Sequence, residues 1–408
     1  MNSVTTNNPM TVNNPKTAFD NWRSIVISLY MTLVGYAVLV GAPVISTAWV
    51  NFLGFSQDQV NNVASADLGG LSLGAVLTAF FIAKVNRRLL VFIGIAIAVL
   101  ANLLCIKMVE YEQVLWLRLL AGFGSGIYTA VAVASLGASS KPALAYNLML
   151  LAFAPSQAAE AKFIPLLSME GIYLAFMVSF LITLPFIRWI PAFADNKAQS
   201  LEHGTTGEAD VEQMQIPTYI PWLCLIAIAV TYINIGAYWV NIEQAALFDQ
   251  ATPSWLNTVL VWAPLLSVVG CAFATVLSNR FGLIRPLLVA LFSMALAVGF
   301  LANGITDQKF LISVFSFNFL WIFVDVYQMS TISTVDKSGR TASIIPAAQG
   351  VGYIFGPMIA AFLLGPGPNY DYPAVFIMGA GAGILALLIY AFIFLRFRKT
   401  IPSLAYAK

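Results

Sequence analysis

Apolar stretches long enough to cross a bilayer recur from one end of this chain to the other, and that recurrence constrains its fold more than any motif. A spanning helix needs about 20 mostly apolar residues. Breaks in hydropathy divide the 408 residues into twelve such stretches: 22–49, 58–83, 88–108, 112–138, 142–165, 170–191, 218–246, 254–279, 284–305, 309–335, 341–364 and 372–396. No strand-like alternation competes with them. Only 9% of the residues are charged, against about 25% in soluble domains. An all-α integral membrane protein with twelve transmembrane helices is therefore expected.

The chain also echoes itself. A basic loop, Lys84-Val85-Asn86-Arg87-Arg88, lies between two apolar stretches, and Arg280-Phe281-Gly282-Leu283-Ile284-Arg285 lies in the same setting at an offset of 196 residues (280 − 84). Gln157 and Pro165 in the fifth span match Gln349 and Pro357 in the eleventh. The longest polar interruption, Pro191 to Pro217, carries Glu202, His203, Glu208, Asp210 and Glu212 without apolar periodicity, as a solvated linker does. These features predict two pseudosymmetric six-helix bundles, 22–191 and 218–396, joined by a linker at 192–217. Residues 1–21 are polar and Asn-rich, without the basic start and cleavage site of a signal peptide, and are expected to be a flexible N-terminal tail. Residues 397–408 are expected to be a C-terminal tail.

Lysine and arginine fall on one side of this plan. With both termini cytosolic, only Lys107, Arg118, Lys162 and Lys309 of the 20 basic residues lie away from the cytosolic face, the bias that the positive-inside rule requires. A multi-pass protein of a bacterial inner membrane is the expected localisation. The net charge of +2 offers no field for nucleic acid. Cys105, Cys224 and Cys271 are widely spaced inside apolar stretches and read as buried small hydrophobes.

Six spans plus six, basic loops after the second and eighth, and Arg118-Leu119-Leu120-Ala121-Gly122-Phe123-Gly124-Ser125-Gly126 in the fourth resemble the major facilitator superfamily. Asn279-Arg280-Phe281-Gly282 is similar to that family's acidic-Arg-x-Gly turn. The acidic position is Ala83 in the first half and Asn279 in the second, a departure that touches the family's charge latch. The resemblance implies alternating access by a monomer, with Lys84, Arg87, Arg88, Arg280, Gly282 and Arg285 on cytosolic gate loops. In look-alike transporters the arginine at the place of Arg118 takes part in proton coupling or anchors an anionic group.

Interior charges point to chemistry, since a charged side chain at the bilayer centre costs roughly 2.5 to 3.5 kcal/mol even on the forgiving insertion scale. Asp67, Glu160, Glu243 and Asp325 lie inside spans with Arg118 as the one guanidinium, and Lys162 sits nearer a span end. An interior so acidic is not expected to keep every carboxylate ionised, which makes these five residues the proton-coupling candidates. Each also has a plainer reading. Asp67 precedes Gly70 and Gly74 on one face and could cap a packing contact. Arg118 could form a structural salt bridge. Glu160 shares a face with Gln157 between Pro155 and Pro165, or sits at the outer interface with Lys162.

The seventh span is the densest in candidate substrate-binding residues, with Asn234, Tyr238, Trp239 and Glu243. Trp239 stands one turn before Glu243, and in the tenth span Trp321 stands one turn before Asp325, with Gln328 three residues after it. Gln157 and Gln349 complete the set. Rings beside carboxylates suit a cationic or amphipathic solute, although aromatic residues also anchor spans at the interface. His203, the single histidine, lies in the linker, so no histidine-based metal site or Ser-His-Asp triad can be assembled, and no Walker loop is present. No cofactor or metal is expected. The expected function is alternating-access transport of a small organic solute, by proton-coupled symport. A proton-antiport exporter of amphipathic or cationic compounds shares this plan. A transporter-like receptor is disfavoured by the short polar linker, and an intramembrane enzyme would need Asp67 and Asp325 to meet as a dyad.

Overall fold

The computed structural model of the protein describes residues 17–140, 142–193, 217, 219–335, 344–365 and 369–397. Ten helices among the described residues are long and apolar enough to cross a membrane. The helices are α1 (Trp22–Gly35), α2 (Ala37–Val40), α3 (Ala42–Leu53), α4 (Gln57–Phe81), α5 (Arg87–Cys105), α6 (Tyr111–Gly137), α7 (Pro142–Phe163), α8 (Met169–Leu181), α9 (Tyr219–Phe248), α10 (Pro253–Trp262), α11 (Pro264–Phe281), α12 (Ile284–Gly299), α13 (Asp307–Val335), α14 (Ile345–Leu364) and α15 (Tyr372–Phe397). No strand occurs among the described residues.

Two of the expected spans fall outside those ten. The stretch at 22–49 is three successive pieces, α1 to α3, because the helical path fails at Tyr36 (φ −94°, ψ 4°) and Gly41 (φ −87°, ψ 10°). Pro43, in the first turn of α3, supplies the cause of the second break. It has no N–H to give the carbonyl of Leu39, and its ring collides with that carbonyl in a continuous helix. The other is α7, a 22-residue helix carrying Pro155 inside it, whose apolarity Gln157, Glu160 and Lys162 dilute.

The expected N-terminal tail is partly structured. Ala18–Asp20 form a single helical turn in which Phe19 is buried. Asp20 accepts from the backbone N and the Oγ of Ser140, both at 2.8 Å, in the loop after α6. Burial pushes the Asp20 carboxyl up, but hydrogen bonds from Thr17 and Ser140 outweigh it and hold the group below the ordinary aspartate value. Nearly all of the linker, the C-terminal tail beyond Phe397 and residues 1–16 lie outside the described residues.

Helix α6 is the hub of the first half, touching α1, α4, α5 and α7. In the second half α9 packs on α14 and α15, while α13 packs on α11 and α12. The halves meet where α3 packs on α9, α4 on α14, and α7 on α10 and α11.

Candidate functional site

The tightest helix crossing carries the first pair of candidates. Gly70 and Gly74 on α4 face Gly122 and Gly126 on α6 so closely that an added Cβ would lie 2.1 Å from Leu119 O, 2.2 Å from Phe123 O, 2.0 Å from Asp67 O and 2.0 Å from Leu71 O, respectively. Small residues permit this approach in a membrane, where packing takes the place of hydrophobic drive between helices. Asp67 lies three residues before Gly70 and Arg118 four before Gly122, about one turn in each case, and the crossing forces the two together. Arg118 donates from Nε at 2.8 Å and from Nη2 to Asp67 Oδ2, while its Nη1 donates to Asn102 Oδ1 at 2.8 Å. The side chains are 2% and 3% exposed. The rings of Tyr173 and Phe176 lie 5.8 and 6.0 Å from the guanidinium carbon, and Tyr173 is held by Trp49 Nε1 at 3.2 Å. This is a buried, charge-balanced pair, the salt bridge that is the plainer reading of Arg118.

Asp325 is held differently. Tyr232 on α9 gives a bifurcated hydrogen bond to both carboxylate oxygens of Asp325 at 2.8 Å, and the same hydroxyl accepts from Gln349 Nε2 on α14 at 2.6 Å. The Tyr353 ring stands perpendicular to that of Tyr232 at 4.9 Å. Gly352 lets α14 come close enough for this contact, since a Cβ there would lie 2.3 Å from Tyr232 Cβ. Close packing therefore accounts for the glycines of α14. Beside this cluster Gln328 donates to Thr231 Oγ1 at 2.8 Å and leaves its own Oε1 without a partner. Among the described residues the only ion pair is Asp67 with Arg118, so Asp325 is satisfied by a phenol where Asp67 is satisfied by a cation. The two aspartates have separate partners and form no dyad.

The break at Gly41 creates a third site. Glu160 on α7 accepts from Ser156 Oγ at 3.3 Å through Oε1, whereas its Oε2 is buried without a partner and lies where a Cβ on Gly41 would come within 2.7 Å. Gln157 Nε2 is likewise buried and unpartnered. Beside them is a cavity of about 10 Å³, lined by Val40, Gly41, Pro43, Val44, Gln157, Ala161, Trp239 and Leu260, room for about one water molecule. Trp239 closes its far side, donating from Nε1 to Val40 O at 3.2 Å. Its ring meets Trp321 edge-on at 6.1 Å, bringing the aromatic faces of α9 and α13 together. Glu243, one turn beyond Trp239, also leaves Oε2 buried without a partner. Lys162 is exposed, 5.9 Å from the Phe163 ring, and does not accompany Glu160.

Other candidates sit elsewhere. At 3.6 residues per turn, Tyr232, Trp239 and Glu243 share one face of α9, while Asn234 and Tyr238 fall on the opposite side. Asn234 is fully buried with both amide atoms unpartnered, against Gly379 and Gly383 of α15. Tyr238 stacks on Phe317 at 4.0 Å and shares a hydrogen bond with Ser313 at 3.0 Å. Neither joins the carboxylates. The basic loop makes its own contacts. Lys84 is exposed, but Arg87 is 5% exposed, bonded to Ser135 Oγ at 3.2 Å and stacked over Phe19 at 4.6 Å. Arg88 donates to the carbonyls of Ile190 at 2.7 Å and Arg188 at 3.2 Å. Both arginines anchor elements of their own half. Gly282 adopts φ +73°, which favours glycine, and the Arg285 guanidinium lies 5.9 Å from the Phe394 ring. The Arg280 side chain lies outside the described residues.

Sequence reasoning missed an amide ladder across the halves. Asn61 on α4 and Asn241 on α9 exchange hydrogen bonds at 2.7 Å in both directions. Gln57 donates to Gln244 at 2.9 Å, and Gln244 donates to Thr47 Oγ1 at 2.8 Å. The signal was present: Gln57 and Asn61 are four residues apart on one helix, and Asn241 and Gln244 three apart on another, spacings that align side chains.

Solved structures share this architecture. A point mutant of the nucleoside transporter NupG superposes with a TM-score of 0.68 at 12% identity, over 91% of this chain and 99% of that one. A structure described as giving insight into substrate recognition in proton dependent oligopeptide transporters has a TM-score of 0.64 at 14% identity, over 94% and 99%. Tetrameric PepTSo2 gives 0.66 at 13%, over 93% and 99%. No curated protein matches the chain in sequence. The family model of the Major Facilitator Superfamily matches residues 24–335, and with the glycine-lined α4–α6 crossing and the transporter-like fold in place, the chain belongs to that superfamily.

Proposed function

We propose that the protein is a secondary active transporter of a small organic solute, driven by proton symport in the direction of uptake. In this reading twelve spans form two six-helix bundles, 22–191 and 218–396, with both termini cytosolic, and a monomer in a bacterial inner membrane rocks about a site between them. The carrying observation is the unequal treatment of the interior carboxylates. Asp67 has Arg118, whereas Glu160, Glu243 and Asp325 lie near the junction of the halves with no cationic partner among the described residues. A buried carboxylate without a cation is stable when it binds a proton or a positively charged ligand. Asp325, beneath the phenol of Tyr232, is the residue we assign to the proton, and Gln349 orients that phenol.

Transport then requires the seams α3–α9, α4–α14 and α7–α11 to part and rejoin in alternation. The ladder of Asn61, Asn241, Gln57, Gln244 and Thr47 fits the closed seam on the face away from the basic loops, because neutral amide bonds are exchanged for water at modest net cost. Neighbours described as a nucleoside transporter and as proton dependent oligopeptide transporters support trying hydrophilic solutes first. The Trp239, Phe317 and Trp321 rings favour a second reading, a proton-antiport exporter of amphipathic cations.

Proteoliposomes with an imposed pH gradient test the proposal. Solute accumulation that follows the gradient and disappears in Asp325→Asn is the expected result. Wild-type flux indifferent to the gradient would end the proton claim, and the direction of accumulation separates symport from antiport.

A further inference from the structure

The break in the first span has a consequence for what the transporter carries. Gly41 leaves a space that any side chain would fill, and Glu160 Oε2 occupies its edge, buried and without a hydrogen-bond donor. A few atoms away Gln157 offers an Nε2 with no acceptor. The cavity beside them is lined by Gln157, Ala161 and the Gly41 that Glu160 Oε2 adjoins, and is bounded across the junction by Trp239 and Leu260 of the other half. The nearest basic side chain on the same helix, Lys162, is exposed and turned toward Phe163. The site therefore presents one carboxylate without a cationic partner, one free donor and one indole ring.

We propose that this cavity receives the protonated amine of the transported solute, with Glu160 as its counter-ion and Gln157 donating to an acceptor atom beside the amine. The proposal rests on the transporter reading above and names its substrate class. A lone water could bridge Glu160 and Gln157, but it would leave the carboxylate charge unbalanced. A proton would balance the charge and leave the Gln157 donor unmet. An amine with a neighbouring acceptor meets both demands. With room for one water-sized group, the closed site takes the head of such a solute, so the remainder must lie along the α9 and α13 rings.

The test uses the full-length protein in lipid nanodiscs, titrated calorimetrically with 2-phenylethylamine, its neutral isostere 2-phenylethanol, and sodium chloride. The amine is expected to bind roughly tenfold tighter than the alcohol, the size of one charge-assisted contact. Glu160→Gln is expected to bring the two within about threefold of each other. Gly41→Ala, which places a methyl against Oε2 with no change of charge, is expected to weaken the amine selectively. Equal binding of amine and alcohol by the wild type would overturn the proposal without recourse to any variant. So would an amine preference that survives Glu160→Gln, or sodium that displaces the amine competitively. Proton-driven flux of another solute, lost in Asp325→Asn while amine and alcohol bind alike, would overturn the amine assignment and leave the transporter reading standing. Amine binding dependent on Glu160 in vesicles that carry no amine flux would uphold the site and overturn that transport role.

Discussion

Asp67 and Asp325 are both aspartates on apolar helices, yet the molecule treats them in opposite ways. Asp67 lies at a crossing of four glycines, its charge cancelled by Arg118, with Asn102 and Tyr173 completing a closed cage. Asp325 lies under a tyrosine that is itself held by a glutamine, and no cation among the described residues approaches it. The contrast teaches that burial of a charge is not in itself a sign of function. A balanced pair locks two helices at one distance, while an unbalanced carboxylate is stabilised by a proton or a positive charge supplied from elsewhere.

Removing the balancing charge should break the first arrangement most severely. Arg118→Ala leaves Asp67 as an uncompensated ion in a buried crossing, and such a loss costs about 3 to 5 kcal/mol. Thermal unfolding in detergent should show a large drop in midpoint, much of it recovered by neutralising both partners together in Asp67→Asn with Arg118→Gln. A double variant no better than the single one would mean that the pair is not a mutual compensation.

The phenol is the equivalent pivot of the second arrangement, with a smaller expected effect. Tyr232→Phe removes the phenol donor of Asp325, leaving the Trp321 indole, and the acceptor of Gln349 at once, for about 1 to 3 kcal/mol of stability. It should also shift the pH dependence of transport, since the group assigned to the proton loses its phenol hydrogen bond. An unshifted pH profile would detach Tyr232 from coupling.

Asp325→Asn should cost less again, because the amide oxygen still accepts from Tyr232, and a change within about 1.5 kcal/mol is expected. Its effect should fall on function: solute binding persists and proton-driven accumulation is lost. A variant that unfolds as readily as Arg118→Ala would erase the distinction between the two aspartates.

Much of this contrast was legible in the sequence, and the missing part has a physical cause. Gly70 and Gly74 after Asp67, and Gly122 and Gly126 after Arg118, announce two small-residue faces, and such faces commonly seek each other in a membrane. That these two faces would meet, and make partners of Asp67 and Arg118, needed the structure, since helix periodicity fixes which residues share a face and leaves open which helix lies opposite. The same gap explains Asn234 and Tyr238. They are as polar as Tyr232 and Trp239, but they point to the other side of α9, into the packing against α13 and α15. The segment 17–20 was hidden for a different reason: a single turn with one buried phenylalanine carries too little periodicity to stand out from a polar tail.

That small turn supplies the mildest prediction, and one that guards the others. The Asp20 carboxyl is held below its ordinary value by Thr17 and Ser140, so its contribution to stability is complete above the unfolded aspartate value of about 4 and fades as pH falls through the folded one. Between pH 5 and 8, a window set by model-peptide values of roughly these magnitudes, the contact between the N-terminal turn and the α6 loop should not change. Proteolysis of the N-terminal segment, followed across that range, should therefore proceed at a constant rate in the wild type and at a faster, equally constant rate in Asp20→Asn. A pH response of transport in the same window then comes from groups other than Asp20, the interior carboxylates and His203 among them. If protection of the turn instead varies between pH 5 and 8 in step with transport, the latch and the coupling site are linked, and Asp325 can no longer be credited with the whole of the pH dependence.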